Sequence, residues 1–319
     1  ALVFLGVVMG QYMCLGGILT LSSGALIEAF GLPCGVLPVA GVIVAVMYAL
    51  LMIGRYSFFE KVLAFFVMLM ALTFVVSVFV TWPDAETLSR AVKPVLPTSA
   101  SSLVMLAAFV GTTMAAPTFV TRPLLIREKG LTAKDLRSER IDAIVSATLM
   151  FVISGSIIAV ATGALFAQGK GIERILDMAA TLEPVAGRFA VAFFMVGTLA
   201  AGLSSVFPIM MVAPILISDW KSGKMETKTP LFRIICLVAA LWGLVVPALG
   251  GNPVTVTILA QISNVFVLPL TVLAILWLLN RRDVMGEHRA GVLLNLGLSA
   301  ALLFSLAVAF AGVKALLGL

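Results

Sequence analysis

The sequence predicts an all-α polytopic membrane protein, and three observations carry that prediction. Of its 319 residues, 61% are hydrophobic and only 11% charged, with a mean hydropathy of +1.17, where a soluble domain would carry about 25% charged residues. Nine apolar stretches approach or exceed the roughly 20 residues that a bilayer crossing needs. The basic residues gather in alternate connections between those stretches, the pattern of membrane topology, so the net charge of +6 does not point to nucleic acid.

In order, the expected spans are 1–29, 36–53, 59–82, 99–126, 141–167, 186–218, 231–249, 254–279 and 290–317. The first is expected to open at Ala1 without a signal peptide before it. Short connections rich in turn residues follow the spans, among them "GLPCG", "TWPD" and "GGNP". The segment 186–218 is long enough to continue past the bilayer. No soluble domain or low-complexity linker is visible, so 1–319 reads as one transmembrane domain. The connections 54–61, 122–140, 221–233 and 281–289 hold 2, 6, 4 and 3 Lys/Arg, which is 15 of the 21. The connections between them are uncharged (31–35, 250–253) or of mixed sign (83–98, 168–188). By the positive-inside rule the first set faces the cytoplasm, which leaves the start of the first helix inside and the C-terminus outside.

The spans lack the usual catalytic groups. Glu28, Glu60 and Asp142 stand near helix ends, and the single histidine, His288, lies in a polar connection. Ser-His-Asp, His-Glu-x-x-His and paired-carboxylate patterns are missing, which argues against a membrane hydrolase. The Asp, Glu and His chains of ordinary proton relays are missing as well. Cys14, Cys34 and Cys236 have no metal-ligand spacing and read as packing residues.

Three stretches interrupt the apolar background. In "GTTMAAPTFVTRP" (111–123), Pro117 opposes the carbonyl of Thr113 and pushes Ala116 away from helical geometry, while Thr112 and Thr113 compete for backbone bonds. An interruption is expected near 113–117, at mid-membrane. It is either a proline kink in a packed helix or an unwound segment lining a cavity, the only setting in which unwound backbone persists at that depth. In "TVTILAQISNVFVLPL" (255–270), Gln261 and Asn264 are three apart and share a helix face. Their amide oxygens suit either a cation or bridging between helices. In "GTLAAGLSSVFP" (197–208), Gly197, Ala201 and Ser205 recur every four residues and favour close helix packing.

Taken together, these segments resemble the Nramp family of divalent-metal transporters, whose fold is the LeuT-type inverted repeat. "GRYSFFEKVLAFFVMLMALTFVVSVFV" is similar to the family's fifth helix, "FVGTTMAAPTFVTRPLL" to its broken sixth, "LRSERIDAIVSATLMFVISGSIIAVATGALF" to its seventh, "GTLAAGLSSVFP" to its eighth and "ILAQISNVFVLPL…NRRDVMGEHR" to its tenth. This register makes the nine spans family helices three to eleven. It implies that the first two are missing from a truncated chain, together with the Asp-Pro-Gly motif whose carboxylate binds the metal. A chain lacking them is expected to transport poorly.

Carried over residue by residue, the resemblance implies a metal site built from the carbonyls of Thr113, Met114 and Ala115, with Gln261 adding an amide oxygen and Asn264 beside it. Thr118 and Thr121 line the path below. The departures are informative. The family's thioether position falls on Ala115, although a one-residue gap would place Met114 there. The later histidine of the sixth helix falls on Arg122. The third-helix acids tied to proton movement fall on Leu15 and Ile18. This combination resembles the Nramp-related magnesium transporters. Mg²⁺ is hard, prefers oxygen and sheds water reluctantly, and alanine in place of a sulfur ligand widens the site for a partly hydrated ion.

The expectation is therefore a transporter and not an enzyme: a secondary transporter for Mg²⁺, with Mn²⁺ second, working without proton coupling in the plasma membrane of a prokaryote. Its partners are the divalent cation substrate and the lipid bilayer. No cofactor, nucleic acid or obligate protein partner is expected. The alternatives are a proton-coupled Mn²⁺/Fe²⁺ transporter, an organic-solute transporter of the same fold, and a membrane-embedded interaction subunit.

Overall fold

The computed structural model describes residues 2–53, 56–80, 99–113, 116–165, 172, 175–223 and 229–316. Among these, nine spans are long and apolar enough to cross a membrane. The helices are α1 (Leu2–Phe30), α2 (Val36–Ile53), α3 (Tyr56–Val80), α4 (Ala100–Thr113), α5 (Ala116–Glu128), α6 (Leu136–Ala164), α7 (Ala190–Ser222), α8 (Pro230–Gly243), α9 (Pro253–Asn280) and α10 (Val292–Leu316), with α4 and α5 belonging to one span. Helices are what apolar surroundings demand, since each backbone polar group must find its partner within its own segment.

Local chemistry sets the helix ends. Asn252 caps α9, its side-chain oxygen accepting from Val254 N at 2.9 Å and Thr255 N at 3.3 Å, with Pro253 in the first turn where its missing N–H costs nothing. Thr229 and Pro230 repeat the arrangement at α8. Gly31 and Gly223, at φ +58° and +65°, lie just past the ends of α1 and α7.

Several expected boundaries shift: the span expected at 141–167 starts at Leu136, and the one expected at 186–218 runs on to Ser222. The span expected at 186–218 starts as α7 at Ala190, because Ile175–Thr181 and Glu183–Ala186 form short turns of their own. The span expected at 231–249 is interrupted at Leu244 and resumes as the short helix Val245–Leu249. Pro247 explains this, since its ring would clash with the Gly243 carbonyl four residues back. The interruption expected at 113–117 centres on Met114 and Ala115, which lie outside the described residues.

The centre of the bundle is α1, flanked by α7 and α9, while α6 and α10 keep mostly exposed apolar side chains, as lipid-facing helices do. Leu15, Leu19, Met47, Phe207, Met210 and Phe232 make one core between α1, α2, α7 and α8. Ala107, Val110, Ile262, Val265, Leu268 and Val308 make another between α4, α9 and α10. Of the small-residue stripe on α7, Gly197 packs closely on a neighbour, and so does Gly202 outside the stripe. A Cβ at Gly197 would collide with Met70 of α3, and five residues on, one at Gly202 would collide with Ser22 of α1.

Cross-links between distant connections sort the ends of the bundle into two sides. On one side Arg127, at the end of α5, pairs with Asp219 of α7 and donates to the Gly223 carbonyl at 3.0 Å. There too the Tyr48 hydroxyl of α2 donates to the Arg233 carbonyl of α8 at 3.2 Å. On the other side Glu28 accepts from Leu176 N at 3.1 Å, and Gly24 lies against Pro253 and Ile175. The ends bordering the basic connections 122–140 and 221–233 thus share one side, and those of α1, Ile175 and Pro253 share the other, in keeping with the charge pattern.

Candidate metal site at the α1–α9 crossing

α1 and α9 run antiparallel and in close contact for most of their lengths. A Cβ at Gly6 would stand 3.0 Å from Val267 Cγ2, one at Gly17 2.9 Å from Ala260 Cβ, and one at Gly24 2.9 Å from Pro253 Cγ. Small residues let the backbones approach, which is how helices associate where lipid removes the hydrophobic driving force. Thr257 fastens the crossing by donating to the Gly17 carbonyl at 2.7 Å.

Near the middle of this crossing four polar side chains meet. Gln11 Nε2 donates to Asn264 Oδ1 at 3.5 Å, and Asn264 Nδ2 donates to Cys14 Sγ at 3.1 Å. The Cys14 thiol in turn stands 3.3 Å from Gln261 Oε1 and 3.6 Å from the Ala260 carbonyl. Gln11, Cys14 and Asn264 are 7%, 2% and 2% exposed, and Gln261 is half-buried. Unpaired amides at this depth would each cost about 1–3 kcal/mol, so the chain of bonds is what makes their burial tolerable.

α4 reaches the same place from the other direction. Gly111 packs so tightly on α9 that a Cβ there would collide with the Gln261 carbonyl oxygen and stand 3.0 Å from Val265 Cγ2. Two residues on, at the last described turn of α4, the Thr113 hydroxyl donates to the Phe109 carbonyl at 2.8 Å. The end of α4 that carries Thr113 thus lies on α9 at the Gln261 backbone, whereas Met114 and Ala115 lie outside the described residues. Below, the Thr121 hydroxyl donates to the Pro117 carbonyl at 2.9 Å, and Thr118 is exposed. Arg122 donates to Glu139 at 3.0 Å and to Asp142 at 2.6 Å, tying α5 to the start of α6.

Leu15 and Ile18, where the resemblance counts acids, pack elsewhere. Leu15 is fully buried in the α1–α2–α7–α8 core, and Ile18 is half-buried against it. Among the described residues no group of three or more His, Cys, Asp or Glu could hold a metal ion, so any donor set here is one of amides, carbonyls, hydroxyls and one thiol. Gln11 and Cys14 are the members that sequence reasoning missed. Their i, i+3 spacing in an apolar helix matches that of Gln261 and Asn264 and was the available signal.

The family model described as natural resistance-associated macrophage protein-like (Nramp) matches residues 2–314. The divalent metal cation transporter MntH of Clostridium acetobutylicum is 28% identical over 151 residues, 47% of this chain and 34% of that protein. The MntH of Deinococcus radiodurans is 33% identical over 156 residues, again 47% and 34%. The MntH of Vibrio campbellii is 23% identical over 291 residues, 90% of this chain and 64% of that protein. The chain spans less than two thirds of the length of each of these relatives.

Proposed function

The chain belongs to the Nramp family, and from that premise we propose that it moves a divalent metal cation across the plasma membrane, Mg²⁺ in preference to Mn²⁺, without carrying protons. The observation that carries this reading is that Gly111, two residues before Thr113, packs on the backbone carbonyl of Gln261, while the Gln261 and Asn264 amides join a buried polar cluster with α1. The relatives whose names describe divalent metal cation transport support the substrate class. Amide and carbonyl oxygens suit a hard cation that keeps part of its water shell. Thr113, Met114 and Ala115 supply carbonyls, Gln261 an amide oxygen, and Asn264 stands next to it.

The driving force needs no proton. A divalent ion gains about 4.6 kcal/mol per 100 mV of inside-negative potential, twice the value for one charge. Leu15 and Ile18 are packed and apolar, which supports a route without titratable groups. A second reading, Mn²⁺ as the preferred ion, is favoured by one observation: the Cys14 sulfur lies 3.3 Å from the Gln261 amide oxygen, and sulfur suits softer transition metals.

Liposomes carrying the protein under an inside-negative potential test both readings. Mg²⁺ enters without internal acidification, and Gln261→Ala reduces entry at least tenfold, the loss of about 1.4 kcal/mol of transition-state stabilisation. Mn²⁺ entry with acidification and no Mg²⁺ entry refutes the Mg²⁺ reading, and unchanged entry in Gln261→Ala refutes the site.

A further inference from the structure

We infer that Cys14 is a displaceable latch on Gln261: its thiol occupies the amide oxygen when no ion is bound and yields it to the arriving cation. The inference rests on the cation reading above and adds to it a residue that sets the affinity of the site.

The direction of the hydrogen bonds carries the inference. Gln11 donates to Asn264 and Asn264 donates to the Cys14 sulfur. Sγ accepts from Asn264 and faces two acceptors on the same helix, the Gln261 oxygen at 3.3 Å and the Ala260 carbonyl at 3.6 Å, the first of them the nearer for its proton. Through that nearer acceptor the three bonds form a chain from Gln11 to the Gln261 amide oxygen, the atom proposed to meet the ion. Such chains polarise their members and hold them in one orientation.

A transport site faces conflicting demands on that oxygen. Left bare at mid-membrane, it would be an unsatisfied polar group. Held by a strong donor, it would be closed to the cation. A thiol is a weak donor, so it satisfies the oxygen and still yields to a divalent ion. A hydroxyl at the same position would donate a stronger bond and keep the oxygen. A methyl group would leave the oxygen free. Asn264 then acts through Cys14 as a positioning residue, since its amide N–H fixes which way the thiol points.

Mn²⁺ binding to the purified chain, read from the paramagnetic resonance of the free ion, separates the latch from simple packing. Cys14→Ser is expected to raise the Mn²⁺ Kd about fivefold, the worth of one ordinary hydrogen bond, and Cys14→Ala to lower it below the wild-type value. A packing role reverses the order, with Cys14→Ser close to wild type and Cys14→Ala the weaker binder, and that result overturns the latch.

A second measurement needs no variant. N-ethylmaleimide modification of wild-type protein, read peptide by peptide, should speed up at Cys14 when Mn²⁺ is added and stay unchanged at Cys236, which is buried in a separate core. An unchanged rate at Cys14 overturns the latch, and so does protection by Mn²⁺, which would put the sulfur on the ion. If wild-type protein binds no Mn²⁺ and no competing Mg²⁺, the transport reading falls and the latch with it. If it binds the ion and the variants follow the packing order, the latch alone falls.

Discussion

Gly111 carries the tightest steric demand at the candidate site. Its missing side chain allows α4 to lie on the Gln261 carbonyl. The atom in the way is backbone within a helix, so a rotamer change cannot relieve the clash. Gly111→Ala is expected to cost about 1–3 kcal/mol, the range for overpacking, and to lower the thermal midpoint in detergent. Because α4 must then move away from Gln261, ion binding should fall more than stability does. A variant with wild-type midpoint and wild-type binding would show that the two helices have no need of this contact. Gly111 was legible as part of a motif, and Gln261 as a polar residue in an apolar run. Their contact was not, because 150 residues of chain separate them and no local pattern encodes which helix faces which.

At the scale of elements, α5 is held at its basic end by charges. Arg122 joins it to Glu139 and Asp142 of α6, and Arg127 joins it to Asp219 and the C-terminal carbonyl of Gly223 beyond α7. The sequence shows the charges of 122–140 but not their pairing, since one dense basic connection allows many partners. The side chains of Arg122, Glu139 and Asp142 are 41%, 26% and 59% exposed, so these pairs are screened and each is worth at most about 1 kcal/mol. Arg122→Gln should therefore lower the thermal midpoint only slightly at low ionic strength, and the difference should vanish near 1 M salt, where the screening length is about 3 Å. A large, salt-independent loss would mean that Arg122 serves the fold by packing instead of charge. The prolines illustrate the other limit of reading elements from sequence. Pro247 ends α8 early at Gly243, whereas Pro208, Pro214 and Pro269 are accommodated inside α7 and α9. Neighbouring helices decide which proline breaks a span, because they supply partners for the freed carbonyls.

At the scale of the whole molecule, the bundle has two chemically distinct ends, and sidedness is directly measurable. Cys34 is exposed in the uncharged connection after α1, while Cys14 and Cys236 are buried. A membrane-impermeant maleimide added to intact cells should label Cys34 alone, and Cys34→Ser should abolish the signal. Labelling that requires the cells to be opened would invert the orientation given by the basic connections. Membrane insertion, the positions of the spans, their two-sided alternation and the family likeness could all be read from the chain alone. Hydropathy and charge are properties of a segment itself, and the bilayer acts on each segment separately. Only the tertiary structure decided that α1 lies along α9 and sets Gln11 and Cys14 against Gln261 and Asn264 across some 250 residues of chain. Among helices of nearly equal hydrophobicity, partners are chosen by the fit of small residues and the pairing of a few buried polar groups, and that complementarity exists only once two helices meet.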